Sequence, residues 1–213
     1  MRDKFHIMYH KGESKMKTIL FVLLDQWAEW EAAYLASAIQ MMGENQYENK
    51  IVSLTKDSVC SIGGFRVVPD YDIDSVPEDY EAVILIGGMT WRSEEARQVK
   101  ALVDMCLTDG RILGGICDAA GFLATAGALN QVRHTGNDLN DIKAWAGGAY
   151  TGEANYVMEQ AVRDGNIVTA NGTATLEFAR EVLLALEAAP EEKIIDWFNF
   201  HKLGFYDAPM PKM

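Results

Sequence analysis

The chain predicts an α/β domain, a mostly parallel central sheet with helices on both faces, and three observations carry that prediction. Short apolar runs (18–24, TILFVLL; 82–86, AVILI; 112–116, ILGGI) have strand length but none of the alternation of a half-solvated strand, so both of their faces need covering. Longer helix-competent stretches separate them, the pattern of successive strand–helix–strand units. A chain of 213 residues, 49% hydrophobic, suits one large domain with a sizeable core.

The elements follow in order. Residues 1–15 are polar, lack the apolar centre of a signal peptide, and are expected to be a poorly ordered extension. The domain proper spans 16–190. Thr18–Leu24 reads as a buried strand closed by Asp25, and Trp27–Met42 as a helix stopped by Gly43. Lys50–Thr55 is a second strand, and Gly63-Gly64 turns into a short strand at Phe65–Val68. After Ala82–Ile86 comes Gly87-Gly88, then a helix over Ser93–Leu107 with Ser93 as its cap. Ile112–Ile116 leads into a helix at Ala119–Ala126. Val157–Arg163 is strand or short helix, Asn166–Ala170 is a strand, and the last long helix runs from Thr175 to Ala188. Residues 191–213 form an aromatic tail, with Trp197, Phe198, Phe200, Phe205 and Tyr206 within ten positions. Such a tail packs on the body or against a second subunit.

The net charge of −12 argues against nucleic acid or an anionic membrane surface as the main partner. Cys60, Cys106 and Cys117 are odd in number and irregular in spacing, so neither a disulfide framework nor a metal site is expected, and a reducing cytoplasm is the simplest setting. No cofactor is expected. The longest apolar stretch is too short to span a bilayer.

The chemistry centres on Cys117. The β-run Arg111–Ile116 stops at the cysteine and a small-residue helix starts at once, giving small-x-Cys-x-small with Gly115 and Ala119. A nucleophile elbow needs this, because bulky neighbours would clash in so tight a turn. The elbow aims the side chain at the positive end of the following helix, where a thiol becomes reactive. The plain alternative is a buried structural thiol. In an open α/β sheet the ligand site lies at the carboxyl ends of the strands. The loop after Leu24, Gly87-Gly88 and Cys117 all fall there.

On the first helix, Trp27, Glu31, Tyr34, Leu35, Ala38 and Met42 share one face. Glu31 is its only carboxylate and must be protonated or hydrogen-bonded if buried, whereas Glu29, about 200° away, belongs to the solvated side. Beside Cys117, Glu31 is a candidate acid/base. Gly88 and Asp118 are candidate backbone N–H donors to an oxygen held near the sulfur.

These segments resemble the ThiJ/PfpI superfamily, with the fold of class I glutamine amidotransferases, over essentially all of 17–189. The resemblance rests on the Glu31 helix, GGFRVVPD (63–70), AVILIGG (82–88), GGICDAAGFLATAGAL (114–129) and DGNIVTANGTATLEFA (164–179). It implies a flavodoxin-like three-layer sandwich, usually a homodimer, with Cys117 reactive and Glu31 near its sulfur. Family activities range from glyoxalase-like conversion of 2-oxoaldehydes, deglycation and isonitrile hydration to peptidase, chaperone and oxidative-stress functions. The departures matter. Asp118 stands where peptidase-like members carry histidine, and Asn137 stands where many others have one. Asn137 and His134 are therefore accessory candidates, and His201 is structural. Peptidase activity is not expected, nor is amidotransferase activity, because Thr175-Leu176-Glu177 lacks the His-x-Glu pair.

Three functions follow as expectations: an enzyme acting on small electrophiles through Cys117 and Glu31, a stress-response sensor oxidised at Cys117, or a binding module with a vestigial elbow. The partner is a small-molecule substrate or an oxidant.

Overall fold

The structure, a computed structural model, describes residues 15–44 and 46–211. The expectation for the N-terminal extension falls almost wholly outside these. The central sheet has seven strands: β1 (Lys17–Val22), β2 (Tyr47–Ser53), β5 (Tyr71–Asp72), β6 (Ala82–Leu85), β7 (Ile112–Ile116), β8 (Ala161–Asp164) and β9 (Ile167–Ala170). Their order is β5-β2-β1-β6-β7-β9-β8, parallel throughout except the β8–β9 hairpin. A separate two-stranded ribbon pairs β3 (Val59–Cys60) with β4 (Arg66–Val67). The flavodoxin-like α/β fold is as the sequence indicates.

Successive residues of β1 divide between two cores, which is why its run is apolar without alternation. Ile19 and Phe21 pack with α1 (Glu29–Met42) and α5 (Thr175–Ala185). Leu20 and Val22 pack on the other face, with α2 (Val99–Thr108) and α3 (Asp118–Thr125). Gly114 lets the sheet approach α5: a Cβ there would sit 3.1 Å from Phe178 Cζ. The chain leaves β1 toward β2 on one side and returns to β6 on the other, so the switch in strand order lies between β1 and β6, where open α/β sheets place their crevice.

Several boundaries differ from the sequence reading. α1 starts at Glu29, since Trp27 instead bridges Ser61 and Gly88 and ties the ribbon to the β6 loop. The helix expected over 93–107 opens with a 3₁₀ turn at Glu95–Gln98, although Ser93 does accept the Ala96 N–H at 3.2 Å. A further helix, α4 (Leu139–Ala146), is capped by Asp138, which accepts the Asp141 N–H at 2.8 Å. The aromatic tail is largely helical: α6 (Glu191–Leu203) follows Pro190. Its buried Ile194, Trp197 and Phe198 pack in the α1–α5 core, where residues at i, i+3 and i+4 share a face. His201 stacks edge-on against Tyr34 and Trp197.

Candidate active site

The elbow at Cys117 is formed by backbone strain that the sheet imposes. Cys117 has φ 62° and ψ −132°, which L-residues avoid, and it is held there by its N–H on Ala170 O (3.0 Å) and its carbonyl on the Ala120 N–H (3.1 Å). Its neighbours need to be small. A Cβ on Gly115 would meet Leu123 Cδ1 at 2.7 Å, and one on Gly87 would meet Cys117 Cβ at 2.5 Å and Glu31 Oε2 at 2.4 Å. Gly172 is pressed equally close, 2.8 Å from a would-be Cβ to Cys117 Sγ and 3.3 Å to Glu31 Oε1. Gly87 and Gly172, from two strand ends, thus make room for one thiol and one carboxyl, while Gly115 makes room for α3 behind them.

Glu31 projects from the first turn of α1 and is 1% exposed. Its Oε2 accepts the Gly87 N–H at 2.9 Å. Oε1 lacks a well-formed hydrogen bond and lies against the sulfur across Gly172. Burial, the largest influence, raises the carboxyl from 4.5 to about 7, against pulls from Cys117 and the Gly87 N–H. Burial also raises the thiol, to about 11, and the Glu31 charge adds to this. The Asn137 amide and Asp118 N–H pull the other way. Burial and their closeness therefore make it costly for the two groups to be charged together.

Asn137, an accessory candidate that the family resemblance offered alongside His134, lies at the Cys117 sulfur. Its Nδ2 donates to Cys117 Sγ at 3.4 Å, and its Oδ1 accepts the Gly172 N–H at 2.8 Å. His134 does not reach it. The imidazole is fully buried, with Nδ1 2.7 Å from Val132 O and Nε2 2.7 Å from the Tyr150 hydroxyl, and burial lowers its pKa. The Gly88 N–H has no acceptor among the described residues, and a Cβ on Gly88 would clash with Gln26 O at 2.5 Å. The Asp118 N–H faces the sulfur. Among the described residues no group of three metal-binding side chains gathers.

Two placements escape sequence reasoning. Asp118 is bound by Arg92, which donates from Nε at 3.0 Å and Nη2 at 3.3 Å. Glu29 is half-buried rather than solvated, its Oε2 unpartnered beside Gly63 and Trp27. Helical periodicity assigned it to the solvated side, but Glu29 lines a cavity with Phe21 and Ile51 of the sheet and Val67 of the β3–β4 ribbon, and Gly63 of the ribbon turn lies against its carboxyl.

The sequence model of the DJ-1/PfpI family matches residues 17–185. The chain belongs to the DJ-1/PfpI family. Within it, the chain is similar to a Bacillus subtilis (strain 168) protein named as the uncharacterized protease YdeA, with 37% identity over 90% of this chain and 94% of that one. Among solved structures, the DJ-1 superfamily protein Atu0886 from Agrobacterium tumefaciens has a TM-score of 0.79 and 36% identity, covering 88% of this chain and all of that one. A thiJ/pfpI family protein from Bacillus anthracis has a TM-score of 0.81 and 30% identity, covering 89% and 92%. In DJ-1/PfpI terms, the Cys117 elbow and the Glu31 helix lie within the matched region.

Proposed function

We propose that this DJ-1/PfpI protein acts on small carbonyl electrophiles, with Cys117 as nucleophile and Glu31 as acid/base. The observation that carries the reading is the Glu31 carboxyl facing the elbow sulfur across Gly172, with a raised pKa near neutrality. With a 2-oxoaldehyde such as methylglyoxal, Sγ adds to the aldehyde carbon and the proton from the thiol passes to Glu31. The new oxygen faces the Gly88 and Asp118 N–H groups. Glu31 returns that proton to the new oxygen, which gives a hemithioacetal and frees the carboxylate to act as base. It then carries the C1 proton to C2 while the hydroxyl proton moves from the C1 oxygen to the C2 oxygen, so the adduct becomes a thioester, and water releases the 2-hydroxy acid and the free thiol. No external oxidant is required, because C1 is oxidised as C2 is reduced.

The test is methylglyoxal consumption by wild type, Cys117→Ser and Glu31→Gln. Loss of activity in both variants supports the reading, and an inactive wild type across small carbonyls overturns it. YdeA is named as a protease, but neither His134 nor His201 approaches Cys117 here, which favours carbonyl chemistry over proteolysis.

The second reading is a stress sensor in which Cys117 is oxidised to a sulfinic acid beside Glu31 Oε1. A mass gain of two oxygens confined to Cys117 after mild peroxide supports it, and earlier oxidation of Cys60 or Cys106 removes its basis.

The proposed partner is a second copy of the chain, seated on α1 and the β3–β4 ribbon. Trp30, Phe65 and Val68 are 47%, 65% and 70% exposed there. Beside them a cavity of about 350 Å³ contains Glu29 and Trp27, whose Oε2 and Nε1 lack partners. Light scattering of Trp30→Glu and Phe65→Glu tests it, since both variants should lower the mass to that of a monomer.

A further inference from the structure

Asp118 sets a chemical problem at the position after the nucleophile. A free carboxylate there opposes thiolate formation and also repels an anionic intermediate held by the Asp118 N–H. The structure places a guanidinium on this carboxylate. Arg92, from the loop that follows Gly87-Gly88, grips both Asp118 oxygens at 3.0 and 3.3 Å. Its other edge grips Asp141 of α4, at 3.1 Å from Nη1 and 2.6 Å from Nη2. The guanidinium lies 4.6 Å from the Trp145 ring centroid, so a third contact fixes its plane. Four N–H groups are committed to carboxylates, which leaves Arg92 little capacity to bind substrate.

We propose that Arg92 is the positioning residue of the Cys117 site, holding the Asp118 carboxylate toward α4, ion-paired and turned away from the sulfur. The inference rests on the reading of Cys117 as a nucleophile. It adds a residue to that site which does not touch the reacting atoms.

The charged surroundings of Cys117 agree with this. Glu31 from α1 faces the sulfur directly, and Asp118 on α3 comes with its Arg92 and Asp141 partners, while Asn137 and Gly172 are neutral. What raises the thiol most is burial, followed by the Glu31 charge. Asp118 does add a small upward push to Glu31, the last of four influences on that carboxyl. The same clasp joins the donor loop to the N-terminus of α3, so the Gly88 and Asp118 N–H groups are linked through Arg92.

The experiment is the rate of Cys117 alkylation by iodoacetamide across pH, read by mass spectrometry of its peptide, in four proteins. Arg92→Met keeps an unbranched side chain but removes the guanidinium and frees the Asp118 charge, so its rate below the thiol pKa should fall about three- to tenfold. Asp118→Asn alone should stay within about twofold of wild type, because Arg92 already pairs with that carboxylate and holds it toward α4. The double variant Arg92→Met/Asp118→Asn should return to within about twofold of wild type.

An unmoved profile in Arg92→Met overturns the proposal, and so does a double variant as slow as Arg92→Met, which would mark a purely structural role. A roughly tenfold acceleration in Asp118→Asn also overturns it, and this variant keeps Arg92, so that arm stands even where Arg92→Met fails to fold. Methylglyoxal turnover is measured in parallel. Absent turnover with an Arg92-dependent profile defeats the functional reading alone, whereas turnover with an Arg92-independent profile defeats this inference alone.

Discussion

Cys106 and Cys117 are two thiols of one chain, and the fold treats them in opposite ways. Cys106 sits on α2 with no exposure, its Sγ 3.4 Å from Ile112 O, and burial pushes it up to about 12. Cys117 is half-buried and also raised by burial, yet an amide, a backbone N–H and a buried carboxyl all address its sulfur. Burial alone makes a cysteine inert. The partners around the second thiol make the difference, and they come from separate segments: Glu31 from α1, Asn137 from the 132–138 loop and the Asp118 N–H from α3, with the Gly87 and Gly172 N–H groups holding the first two in place.

The sharpest break in this comparison is activity. Gly87→Ala drives a methyl group into Glu31 and Cys117, so turnover of the small-carbonyl substrate should fall about 10³-fold or more, while Cys106→Ala leaves it within about twofold. Steady-state kinetics on both variants checks this.

The next effect is on stability. Glu31 has its folded-state pKa at about 7, above its unfolded value of 4.5. Between these pH values the unfolded chain gives up its proton first, so the native state loses stability as pH rises, and the full cost is present above about pH 7. Glu31→Gln keeps an acceptor for the Gly87 N–H and removes that cost. It should stabilise the protein by up to about 3 kcal/mol at pH 8, and by almost nothing near pH 4, in urea melts at both pH values. Equal gains at the two pH values would show that Glu31 is not buried as an acid. The same variant should lower the Cys117 thiol pKa, since the Glu31 charge raises it, while abolishing turnover.

Cys106→Ala leaves a small void in the α2 core and should cost about 1–2 kcal/mol with no change in pH dependence, measured by the same melts. The smallest effect tests the elbow. Cys117→Gly relieves the positive φ that Cys117→Ala retains, so the glycine variant should be about 1 kcal/mol the more stable of the two.

Much of this was legible beforehand, for identifiable reasons. The β-runs showed through because a parallel strand buried on both faces admits only apolar residues. Cys117 showed through because its turn demands Gly115 and Ala119. Glu31 stood out as a lone carboxylate on an apolar helical stripe. The α6 helix was hidden by its composition: Ile194, Trp197 and Phe198 make its inner face while charged residues fill the outer one, so overall hydropathy does not mark it. Glu29 was misplaced because helical geometry gives direction about the axis but not what lies in that direction.

The chain by itself determined which residues are confined to the sheet and which turn must carry a strained cysteine, because those requirements are local: strand period, helix period and the space around one Cα. Only the tertiary structure decided which neighbours the cysteine has. His134 and Asn137 lie three residues apart in the same loop, yet one is locked onto Tyr150 and the other touches the sulfur. Arg92 meets Asp118 across 26 positions of sequence. Such contacts depend on how strand ends converge in space, and no period in the sequence records that.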